Sequence, residues 1–167
     1  MLEQLLESFW EWLNMSPTEY SCRFCDDSIE EYMFPDWARM LHEVRQCIEE
    51  SRQDMIPLVL EAMAIDHEVE DVLDFLTERA SDSYIVDITL CIATNIQPHA
   101  RWQGAELICR RPTIEGEHVL KQLMGDTNPY VRKRARNAYI LLEKKKPQGP
   151  VLCDDNKPAN DVRPNSG

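Results

Sequence analysis

Glycine is scarce in this chain, with five in 167 residues: Gly104, Gly116, Gly125, Gly149 and Gly167. No phosphate-cradling loop or dinucleotide fingerprint can be assembled from them. No apolar run approaches the 18 residues or so that a membrane-spanning helix needs. The opening stretch, MLEQLLESFWEWLN, has neither the basic start nor the continuous apolar core of a secretory signal. The expected location is therefore the cytoplasm, with reduced thiols. Catalytic patterns are missing as well. His42, His67, His99 and His118 are isolated, His67-Glu68 lacks the second histidine of a zinc-protease helix, and no G-x-S-x-G occurs. Paired carboxylates such as Glu30-Glu31 and Glu49-Glu50 are too common here to mark an acid–base site. A non-enzymatic protein without a cofactor is expected.

What is present is charge, unevenly placed. The formal net charge is −12. Residues 1–78 hold 20 acids and 4 bases, and residues 79–146 hold 7 acids and 12 bases. An acidic half joined to a basic half suggests two faces with different partners. The molecule as a whole should repel nucleic acid at long range.

Six cysteines are present. Cys91, in the apolar run Ile88–Ile92, and Cys109, after Leu107 and Ile108, read as small buried hydrophobes. Cys22 and Cys25 form a lone C-x-x-C, which His42 and Cys47 could complete to four zinc ligands. Those two lie five residues apart on an expected helix, about 140° apart around its axis. No metal site is expected on that spacing.

Helical periodicity runs through most of the chain. Leu2, Leu5, Leu6, Phe9, Trp10 and Leu13 make one apolar face. Pro17 and the polar cluster Asp26-Asp27-Ser28 break that pattern over 16–29. Pro35 suits the first turn of a helix carrying Trp37, Met40, Leu41, Val44, Cys47 and Ile48. Pro57 stands near the start of a helix running to about Ile65. The next, from about 67 to 79, is expected to place Val69, Val72, Leu73 and Leu76 on its core face. Ser81-Asp82-Ser83 and Thr113 are helix caps, and Pro98 and Pro129 open two further helices.

An internal repeat organises the second half. Asn95-x-x-Pro98-x-Ala100-Arg101-x-x-Gly104 aligns with Asp126-x-x-Pro129-x-Val131-Arg132-x-x-Ala135 at an offset of 31 residues. A further step back, at His67, Val69, Glu70, Leu73 and Leu76, keeps the apolar register but loses the proline and arginine. Two helices per period point to an α-solenoid. The stretch Asp126-x-Asn-Pro129-x-Val131-Arg132-x-x-Ala135-x-x-Ala138 resembles the second helix of a HEAT-repeat unit. The resemblance implies that Asp126, Val131 and Arg132 cap and brace the turn inside the repeat, and that the protein is a binding scaffold. The expected fold is all-α. It comprises an N-terminal helical cap (1–52), a short α-solenoid of HEAT-like hairpins (53–146) and a disordered C-terminal tail (147–167). That tail, with Pro147, Pro150, Pro158 and Pro164 among polar residues, has too little apolar surface to order itself.

Two interaction surfaces are expected. The acidic one comprises Glu61, Asp66, Glu68, Glu70, Asp71, Asp74 and Glu78. Within it Glu70, Asp74 and Glu78 recur every four residues, so like charges stack at a destabilising spacing. A cationic partner would relieve that repulsion. The basic one comprises Arg101, Arg110, Arg111, Arg132, Lys133, Arg134 and Arg136, with Lys144–Lys146 favoured at a helix end by the macrodipole alone. The leading functional expectation is an acidic protein that occludes a basic protein partner, in its most concrete form a bacterial immunity or antitoxin protein against a cationic nuclease-type toxin. The alternatives are an α-solenoid adaptor in a protein complex and a HEAT-like nucleic-acid binder using the basic half.

Overall fold

The computed structural model describes residues 1–23 and 33–145. Helices are the regular structure of these residues, joined by short turns, and no strand occurs among them. The elements are α1 (Leu2–Leu13), α2 (Pro17–Cys22), α3 (Trp37–Glu49), α4 (Ile56–Ile65), α5 (Asp71–Arg79), α6 (Asp82–Ile92), α7 (Pro98–Arg110), α8 (Ile114–Leu123) and α9 (Pro129–Lys145). A short 3₁₀ turn, Gln53–Met55, leads into α4.

The helix starts follow local chemistry. Ser81 accepts from Tyr84 N–H and Thr113 from Gly116 N–H, each satisfying a donor that the first turn leaves open. Pro98 and Pro129 occupy first helical positions, where no N–H is needed. Pro35 falls one residue before the N-cap Asp36, outside the helix it was expected to open.

The helices contact one another in two rows. α4 packs on α6 and α6 on α8, while α3, α5, α7 and α9 follow one another in the second row; α1 lies against α3 and α4. α4 joins the rows by its contact with α7. Its sequence allows this: Ile56, Val59, Leu60 and all of 62–65 are buried, so it is apolar nearly all round. α7 is buried over Pro98–Ala105; there Gln103 Nε2 donates to Met63 O at the end of α4, while its Oε1 is buried without a hydrogen-bond partner among the described residues.

The 31-residue offset reappears atom by atom at two turns. Arg101 Nη1 donates to the carbonyls of Asn95 and Ile96, and Arg132 Nη1 to those of Asp126 and Thr127. Asn95 Oδ1 accepts from Gln97 N–H at 2.8 Å, and Asp126 Oδ1 from Asn128 N–H at 2.7 Å. Ala100 and Val131, one residue before each arginine, are fully buried.

Four further placements differ from the sequence reading. The break after α1 contains a helix, α2. Val69 is exposed, because α5 begins only at Asp71, after Glu70 turns the chain through a left-handed conformation (φ 62°). Cys91 is exposed rather than buried, and Cys109 is half-buried. A continuous apolar run such as Ile88–Ile92 wraps more than one helical turn, so some of it must face outward; Leu90 and Cys91 do. Cys47 is buried while His42 is exposed, which separates them as ligands. Cys25 and the tail 147–167 lie outside the described residues.

Candidate functional site

The acidic residues of the expected partner surface separate into two groups. Asp66 and Glu61 point inward. Asp66 is 2% exposed, and its Oδ2 accepts the N–H of Val72 at 2.7 Å. It thereby caps α5, a job its N-cap residue Glu70 does not perform. Burial dominates, and raises the Asp66 carboxyl to about 7 despite that hydrogen bond. Glu61 is half-buried on α4. Its Oε1 accepts from the indole N–H of Trp10 on α1, and burial again raises the carboxyl above its usual range.

Glu68, Asp74 and Glu78 are exposed, with Glu70 and Asp71 half-buried beside them. The four-residue stacking on α5 is relieved within the molecule. Arg110 of α7 reaches Asp74 at 2.6 Å and Glu70 at 3.3 Å, and lies 3.7 Å from Glu106 on its own helix. Glu106 also pairs with Arg134 of α9. Part of the repulsion that suggested an external cation is therefore answered by α7, and Glu78 is the member of the ridge that stays outside this network.

The basic residues do not form a stripe. Arg101 is 8% exposed and ion-paired with Asp126. Arg111 donates to the carbonyls of Thr77 and Ala80 and pairs with Asp82, tying down the turn between α5 and α6. Arg132 holds the turn before α9. The Arg134 guanidinium stacks 4.8 Å from the ring centroid of Trp102 and 5.6 Å from that of Tyr130. Lys133 and Arg136 are exposed. No protein-family model, curated protein or solved structure matches the chain.

Two features escaped the sequence reading. On α1, Glu3, Glu7 and Glu11 are all exposed and four residues apart, and none has an ionic partner among the described residues. Glu11 stands in the last turn, where the helix dipole disfavours an anion and no basic residue offsets it. The signal was visible as the same spacing seen on α5. The second feature is α2. Ser16 and Glu19 form a reciprocal capping box with Pro17 at the first helical position, so Ser16-Pro17-Thr18-Glu19 was itself a helix start. Tyr20 of α2 is buried beside Trp10, His67 and His99, and Gln97 Nε2 donates to Pro17 O at 2.6 Å. α2 is thus fastened over the loop between α6 and α7, where it forms one wall of a cleft that Glu61 also lines.

Proposed function

We propose that the protein is a short α-solenoid of HEAT-like hairpins that binds a basic protein partner through its acidic surface. Its most concrete form is an immunity or antitoxin protein that occludes a cationic nuclease-type toxin. The fate of the arginines carries this reading. Arg101, Arg110, Arg111, Arg132 and Arg134 all contact carboxylates or backbone carbonyls of the same chain. The basic half is used to brace turns and neighbouring helices. Acids such as Glu3, Glu7, Glu11 and Glu78 face solvent, on a chain of net charge −12. Such a surface steers cationic partners toward it and repels polyanions. The two rows of helices and the repeated arginine-braced turn support the solenoid reading, since each hairpin covers the apolar face of the next.

A second reading, the adaptor, draws on Ile140 and Leu141, adjacent on α9 and 51% and 49% exposed. The two readings part in one experiment. The protein is used to capture its partner from the source cells in low salt, and the purified pair is then studied between about 0.05 and 0.5 M salt. A partner of basic isoelectric point, with association slowed at least tenfold or so across that range, is the expected result. If that partner is a nuclease, adding the protein should stop cleavage. A neutral or acidic partner with salt-insensitive association would overturn the acidic-surface reading in favour of the adaptor.

A further inference from the structure

Glu61 is the one charged residue in the helix Ile56–Ile65. It stands at a cleft of about 440 Å³ between α4, the end of α6 and α2. One carboxylate oxygen is held by Trp10; the other, Oε2, has no partner among the described residues. Pro17, Pro57, Leu60 and Ile96 supply apolar walls. Pro17 and Pro57 lie in the first turns of α2 and α4, so at those points the helix starts offer no N–H to an anion. Cys91 stands in the last turn of α6, and Thr94 and Asn95 in the turn that follows it, at the negative pole of the helix dipole; the last turn of α6 carries no basic residue to offset it. Among the described residues no lysine, arginine or histidine lines the cleft. A carboxylate and a helix C-terminus converge on a space with apolar sides.

A cation on an aliphatic stem matches that arrangement. The stem covers apolar wall while the head keeps a charge-assisted hydrogen bond. We propose that this cleft receives a lysine or arginine side chain of the partner, with its stem against Pro17, Pro57 and Ile96 and its head on Glu61 Oε2. The proposal rests on the reading that the partner is basic, and it names the point where that partner is anchored.

Cys91, exposed on the same cleft, reports on it directly. The full chain is treated with a trimethylammonium-ethyl methanethiosulfonate or its sulfonato-ethyl counterpart, and modification of each cysteine is read by peptide mass spectrometry. The cation-to-anion rate ratio at Cys91 should exceed that at Cys22, exposed on α2, by about tenfold. Glu61→Gln, which keeps an oxygen for the Trp10 N–H, should bring the two ratios together. In the unaltered chain, propylguanidinium should slow modification of Cys91 by neutral iodoacetamide, and propanesulfonate at the same concentration should not. Equal ratios at Cys91 and Cys22 in the unaltered chain, or no protection by propylguanidinium, would overturn the cation site whatever Glu61→Gln does to stability. Those results leave the salt test of the basic partner standing. An acidic partner found by that test would leave the cation preference at Cys91 standing.

Discussion

Arg101 and Asp126 form a two-pronged ion pair across 25 residues of sequence, with Nε on Oδ2 at 2.7 Å and Nη2 on Oδ1 at 3.0 Å. Both side chains are at least nine-tenths buried. Burial pushes the Asp126 carboxyl up. The hydrogen bonds from Arg101 and Asn128 N–H, with the charges of Arg101 and Arg132, outweigh it and hold the carboxyl below its usual range. The pair joins the turn before α7 to the turn before α9, so one arginine braces both turns.

Arg101 and Arg132 grip their own turns alike, and only Arg101 also holds a buried carboxylate. Arg132→Ala should therefore cost about 1–2 kcal/mol, the value of its hydrogen bonds to carbonyls. Arg101→Ala should cost about 3–5 kcal/mol, because it leaves Asp126 charged and unpaired. Urea unfolding of both variants checks this, and equal losses would show that the ion pair contributes nothing beyond the brace.

Gly104 tests the packing of α6 against α7. A Cβ at this position would lie closer than 3.0 Å to side-chain carbons of Ile92. Gly104→Ala should destabilise by about 1–3 kcal/mol through overpacking, in spite of the better helix propensity of alanine. In the background of Ile92→Ala the same substitution should be neutral or stabilising. A thermal melt of the four proteins gives the comparison.

Asp66 and His99 predict opposite pH dependences. Asp66 titrates at about 7 in the fold against 3.8 as the free residue, so the unfolded chain releases its proton first. Its contribution falls as pH rises from about 4 to 7. His99, depressed to about 3 by burial and then by His67, contributes stability that is lost as pH falls from about 6.5 toward 3. Relative to the parent, Asp66→Asn should gain on the order of 3–4 kcal/mol between pH 4 and 8. His99→Gln should gain, relative to the parent, as pH falls through the same range. Denaturation at several pH values reads both slopes, and parallel curves would remove both assignments.

The α1 and α5 stripes share a spacing and should respond with opposite signs. Glu7→Gln removes two unrelieved like-charge pairs, with Glu3 and Glu11, and should stabilise by about 0.5–1 kcal/mol at low salt. Asp74→Asn removes the 2.6 Å partner of Arg110 and should be neutral or lose up to about 1 kcal/mol. Melting temperatures in low and high salt decide it, since the gain at Glu7 should shrink as salt screens the stripe.

Helix positions were legible because caps, prolines and apolar periodicity act within about four residues. Ser81, Pro98, Thr113 and Pro129 each mark a helix start in the sequence and in the structure. The two arginine-braced turns were legible for the same reason, since Arg101 and Arg132 reach carbonyls only five and six residues back. α2 is the exception although its capping box is equally local, because Pro17 reads as a breaker in sequence and stands at a first helical position in the structure.

The direction of each charge was not legible. The sequence by itself determined an all-helical chain with an acidic and a basic half. Whether an arginine faces a partner or its own chain depends on groups far away in sequence. Arg101 meets Asp126 across 25 residues, and Arg110 meets Asp74 across 36 and Glu70 across 40. The same holds for Glu61, which reads from sequence as one more surface acid until Trp10, 51 residues away, pins it. Only the tertiary structure brings those residues together. Coulombic and hydrogen-bond energies depend on distance in space, and a helical pattern specifies that distance only within its own turns.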